Sequence, residues 1–167
     1  KGESLSDYVV LASVSGDIKS SGLSGKIELS TVSGDIKDTD STGRLQLKAV
    51  SGDIWSSSTA NDVTADTVSG KIELNLAEID ELSISTVSGD AKMKMSLSDN
   101  GLVKSSSVSG NVKMNFQSDV QASFKANASA GGNLINRLTS VEAKRAKYGP
   151  SAKLAFKTGN GNGSVRV

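Results

Sequence analysis

One tripeptide restricts this chain more than any other feature. Val-Ser-Gly recurs at residues 14–16, 32–34, 50–52, 68–70, 87–89 and 108–110, in steps of 18, 18, 18, 19 and 21 residues. Each copy runs into a similar tail: Asp17-Ile18, Asp35-Ile36, Asp53-Ile54, Lys71-Ile72, Asp90-Ala91 and Asn111-Val112. A weaker echo lies midway, at Leu23-Ser24-Gly25-Lys26-Ile27 and Ser41-Thr42-Gly43-Arg44-Leu45, so the deeper period is 9 residues. Near-copies at fixed spacing mark a repeat architecture, in which each unit buries its apolar face on the next.

Within a half-repeat, apolar and polar residues alternate. Leu23, Gly25, Ile27 and Leu29 share one side; Ser24, Lys26 and Glu28 share the other. A period of two is the signature of a strand buried on one face. Two nine-residue half-repeats, each a strand plus a two-residue corner, make one coil of 18 residues. Nine is odd, so inside and outside would exchange every half-repeat unless the corners absorb the slip, as a bulge does. Ser30-Thr31, Thr39-Asp40 and Lys48-Ala49 are the expected corners. Val32, Gly34 and Ile36 then point inward, as do Val50, Gly52 and Ile54. Gly16, Gly34, Gly52, Gly70, Gly89 and Gly110 become a structural column at a tight inward position.

Regular glycines and β-branched residues oppose a helix, and a β-sandwich would not repeat its strands so closely. The predicted fold is all-β: a single-stranded β-helix, or β-solenoid, of about 18–21 residues per rung, right-handed by the crossover rule. A single domain spans 1–167. Regular rungs occupy about 8–133, an irregular basic insertion about 134–150, and final rungs 151–167. Those last rungs would leave an open strand edge, so the natural protein is expected to continue past Val167. About nine rungs at roughly 4.8 Å give a rod roughly 40 Å long.

The chain has no Cys and no His. Thiolate, disulfide and imidazole chemistry are therefore excluded. Six aromatic residues in 167 point to a thin core of Val, Ile, Leu and Ala. No apolar run is long enough to span a membrane. No signal peptide is visible, and the opening Lys1 suggests a processed or trimmed N-terminus.

Three features are candidates for function. Asp17, Asp35, Asp53 and Asp90 occupy equivalent outward positions. Stacked carboxylates repel by about 1 kcal/mol per pair in water, and a cation such as calcium could relieve that. Lys71 and Asn111 interrupt the column, and calcium-binding solenoids use a denser Asp/Gly pattern. Local hydrogen bonding to the backbone near the glycines is the favoured role, so neither a metal nor another cofactor is expected. Trp55 falls outward among Lys19, Lys37, Glu73 and Lys92. It could stack on a sugar ring or anchor a protein contact, or cover the N-terminal segment near Tyr8.

The third candidate is charge. Residues 1–120 hold 11 Lys/Arg against 17 Asp/Glu, whereas 121–167 hold 8 against Glu142 alone. The densest basic residues, Arg137, Lys144, Arg145 and Lys147, suit an anionic glycan, lipid headgroups or an acidic flank of another molecule. Nucleic acid is not expected, because only Tyr148 stands beside them as a stacking platform. Gly159–Gly163 lacks the Lys and helix of a phosphate loop.

The Thr-Val-Ser-Gly-Asp-Ile units resemble those of a bacterial β-solenoid family that carries an adhesin label and is classed as of unknown function. Tyr148-Gly149-Pro150-Ser151, Phe156 and Thr158-Gly159-Asn160-Gly161 are similar to that family's C-terminal part. The resemblance covers essentially the whole chain. It implies a β-helix-like fold and an exported location in the cell envelope, periplasmic or on the cell surface. It brings no catalytic residues. The expected function is a non-enzymatic structural or binding module that meets a surface glycan, an envelope component or a copy of itself. The alternatives are a self-assembling scaffold or stress-signalling domain and, least supported, a polysaccharide-active β-helix enzyme using Asp-bound calcium and a basic residue.

Overall fold

The alternating segments form strands, and the strands stack at the spacing of the repeat. The computed structural model describes residues 8–129 and 132–167. Lys1 and the Ala130-Gly131 join lie outside the described residues.

Two parallel faces run up the coil. The first is built from β1 (Tyr8–Ser15), β3 (Lys26–Ser33), β5 (Arg44–Ser51), β7 (Asp62–Ser69) and the second halves of β8 (Ile72–Ser88) and β9 (Ala91–Ser109). The second contains β2 (Ile18–Ser21), β4 (Ile36–Thr39), β6 (Ile54–Ser58), the first halves of β8 and β9, and β10 (Val112–Phe116). Partners are 18 residues apart in the early coils, as in Ile27↔Leu45, then 19 in Ile72↔Ala91 and 21 in Glu81↔Leu102. The sequence repeat is thus the register of the sheet, and a β8–β9 register shift between Asn75 and Glu81 takes the offset from 19 to 21.

Like residues stack on like. Ile27, Leu45, Val63, Leu82 and Val103 make one buried column; Ile18, Ile36, Ile54, Ile72 and Ala91 make another. Fully burying each Leu, Ile or Val contributes roughly 1.5–3 kcal/mol. The thin aliphatic core is as predicted.

The corners are not. Thr31, Ala49, Thr67 and Thr86 lie inside the strands and are buried, while Val32, Val50, Val68 and Val87 face out and are about half exposed. The exchange of sides falls three residues later, at Ser33-Gly34-Asp35 and its equivalents. Gly52 shows why: its φ is +148°, and a Cβ placed there would lie 2.0 Å from the Gly34 carbonyl oxygen of the coil beneath. The glycine column is therefore real, but it is bare backbone stacked at a corner rather than an inward part of the core. Thr39-Asp40 is a corner as expected, with Asp40 at φ 57°.

The coil has about six turns instead of nine, and its parallel stacking stops short of residue 133. Beyond β10, β11 (Ala122–Ala128) pairs antiparallel with β13 (Ala152–Lys157), and β12 (Lys144–Arg145) lies outside β13. The last strand, β14 (Gly163–Arg166), inserts between β9 and β11, parallel to both. The open edge expected at the final strand is absent, because β14 is bonded on both sides. The Val103 column continues through Val165 to Phe124 and Phe156. Phe124 stacks on Phe156 at 4.5 Å and meets Phe116 edge-on at 5.7 Å. Half of the chain's aromatic residues thus plug the end of the core, where a bare coil would expose it. Residues 134–150 are irregular apart from β12.

Candidate binding surfaces

The aspartate column is bonded from coil to coil. The Asp35 N–H donates to Asp17 Oδ1 at 3.0 Å, Asp53 N–H to Asp35 at 2.8 Å, and Lys71 N–H to Asp53 at 2.7 Å. Asn111 gives Asp90 both its backbone N–H, at 2.8 Å, and its side-chain amide, at 3.0 Å. Each carboxylate satisfies a corner N–H of the next coil. The Asn111 N–H, followed by its amide, holds the Asp90 carboxyl below the ordinary aspartate value. Among the described residues no group of three or more acidic, His or Cys side chains could hold a metal.

Trp55 is half-buried between Lys37 and Glu73 of the neighbouring coils. Lys37 Nζ sits 5.0 Å from its ring centroid, so a cation already lies over the ring. Tyr8 does not cover Trp55. It pairs with Lys26, and its hydroxyl donates to Glu28 at 3.2 Å.

A buried carboxylate escaped the sequence reading. Asp38 is fully buried and accepts from the Ser20, Ser41 and Ser56 hydroxyls at 2.6, 2.7 and 3.2 Å. The signal was present: Asp38 lies two residues after Ile36, on the same side of an alternating strand. Its donors come from three places in the sequence, and the coil gathers them.

The most concentrated charge is on the C-terminal lobe. Lys104 of β9 is in register with Arg166 of β14, and Arg166 with Lys125 of β11. On β13, Lys153 and Lys157 face the same way, opposite Asn127 and Ser123, and Lys144 of β12 pairs with Lys153. All six cations are exposed. The outward residues among them are Leu102, Ser106, Ser123, Asn127, Ala155 and Ser164, with the Glu81 carboxylate at the coil-side edge, in register with Leu102. Lys104 has a distant partner in Glu81, 3.7 Å away. Among the described residues the other five make no ion pair. A shallow depression of about 510 Å³ lies between Lys104, Lys125 and Arg166, rimmed by Ser83, Ser85, Ser106 and Asn127. Strands are roughly 4.8 Å apart, and like charges at that range repel by about 1 kcal/mol even in water. An anion laid across the strands would relieve this.

Of the four basic residues singled out by sequence, Lys144 joins this face. Arg145 donates to Asn133 Oδ1 at 2.9 Å, Lys147 lies over the Tyr148 ring at 5.5 Å, and Arg137 is exposed in the irregular segment. Lys104 was hidden from sequence reasoning inside the acidic part of the chain. Arg166 and Lys125 meet it only because β14 inserts between β9 and β11.

A family model for Toastrack DUF4097 domains matches residues 42–161. No curated protein and no solved structure matches the chain.

Proposed function

This chain belongs to the Toastrack DUF4097 family, and on that premise we propose that it is a non-enzymatic binding module of the bacterial cell envelope, adhesive toward anionic polymers. One observation carries the proposal: six exposed cations on five adjacent strands, five of them without an ion-pair partner among the described residues. Lys104, Arg166 and Lys125 form a line across the strands, along the axis of the coil. A linear polyanion lying on that axis meets one cation per strand. Arg166 can engage a phosphate or carboxylate with two parallel hydrogen bonds, and the lysines act as point charges. The face has no aromatic side chain, and its large apolar side chain, Leu102 beside Ser164, is half-buried. It therefore reads charge density rather than bases or a hydrocarbon surface. The coil behind it is a stiff ladder, which holds the face without needing a ligand to order it.

The test is titration with a phosphate polymer and with a uronic-acid polymer, followed by calorimetry. The combined variant Lys125→Gln, Lys153→Gln, Arg166→Gln should lose binding. A control variant, Arg137→Gln with Lys147→Gln, should keep most of it. Equal binding by both variants, or none by the unaltered protein, would remove the proposal. Release of unsaturated sugars during the same titration would replace it with an enzymatic one.

A further inference from the structure

The outward valines form a second surface, independent of the cationic one. Val14, Val32, Val50, Val68, Val87 and Val108 sit on successive coils, 46–77% exposed. Their shared register follows from the strand pairs on either side of them, such as Ser33↔Ser51↔Ser69. Together they form a continuous apolar stripe along the axis of the coil. A stable interface buries about 800 Å² per partner, with an apolar centre and a polar rim. A shallow groove runs beside the stripe, floored by Thr31, Ala49 and Thr67.

The rim names the occupant. Two residues before each valine lies a flanking column: Ala12, Ser30, Lys48, Asp66, Ser85 and Ser106. Its only charges are Lys48 and Asp66, of opposite sign, on the two central coils. If the column is turned end for end, Lys48 comes opposite Asp66 and Asp66 opposite Lys48, while the outer positions remain small and neutral. A two-fold contact requires that kind of self-complementarity.

We infer that the valine stripe is covered by a second copy of this chain, docked antiparallel about a two-fold axis between the Val50 and Val68 coils. Lys48 of each copy then faces Asp66 of the other. The two C-terminal lobes fall at opposite ends of the dimer, so two polyanions could be bridged by one assembly.

Sedimentation of the full chain over a range of concentrations, with circular dichroism as the folding control, tests this. The unaltered protein should dimerise. Val50→Lys with Val68→Lys should be a folded monomer, since both side chains already face solvent. Lys48→Asp alone and Asp66→Lys alone should each weaken dimerisation roughly tenfold. The combined Lys48→Asp, Asp66→Lys variant should restore it, because reversing both charges recreates each pair. A protein that stays monomeric at every concentration overturns the inference. So does a dimer untouched by the valine changes, or a combined variant no better than the single ones.

Discussion

Above the first coil, each glycine at a Val-Ser-Gly corner carries two constraints that can be separated. Gly52 has φ +148° and a carbonyl 2.0 Å from where its Cβ would be, whereas Gly22 has φ +65° and open space around it. Gly22→Ala should cost only conformational strain, about 1 kcal/mol. Gly52→Ala must also push two coils apart and should cost about 3 kcal/mol or more. Paired urea melts would measure this, and equal losses would mean the stacked backbone does not restrict the corner. Asp90 offers a second test. Its carboxyl is held below the ordinary value of 3.8 by the Asn111 backbone N–H first and the Asn111 amide second. A depressed folded value stabilises the protein above the unfolded value, and the contribution is lost as pH falls through the folded one. Asn111→Ala removes the amide and keeps the N–H, so the NMR titration of Asp90 should move part of the way back toward 3.8. A midpoint that does not move would deny the amide its role.

At the scale of elements, β14 is the joint between coil and lobe. It holds Arg166 between Lys104 and Lys125 and places Val165 between Val103 and Phe124. Val165→Ala should leave a void there and cost about 2 kcal/mol. Amide exchange should quicken in β14 and β11 and stay unchanged in β3 to β7, because a stacked repeat transmits stability mainly to its neighbours. Uniform quickening along the coil would mean that lobe and coil unfold as one unit. Polyanion affinity should fall with the local opening, since the cationic line exists only while β14 is seated.

For the whole molecule, the formal net charge of +1 conceals an acidic coil and a basic lobe. Binding through three to six cations should depend steeply on salt, with log K falling by about 2–4 per tenfold rise in ionic strength. A flat salt response would indicate that the valine stripe or Trp55, rather than the lobe, makes the contact. The segregation also steers: an anionic polymer is attracted to one end of the rod and repelled along its length.

How much of this was legible follows from how locally each feature is encoded. The coil was readable because one spacing, written six times, dictates the register, and alternation dictates which side is buried. The acid-to-backbone bonds of Asp17, Asp35 and Asp53 were nearly readable for the same reason, as equivalent positions must meet. The position of the side exchange was not. Alternation alone cannot say whether Ser30-Thr31 or Ser33-Gly34 absorbs the odd residue, and stacked Gly carbonyls settle it. The cationic face was beyond sequence reasoning because Lys104, Lys125 and Arg166 share no repeat. By itself, then, the sequence determined the stacked coil, since every contact there joins residues one period apart. Tertiary structure alone decided the lobe, where an antiparallel hairpin and one inserted strand bring distant, unlike segments into register to cap an otherwise exposed core.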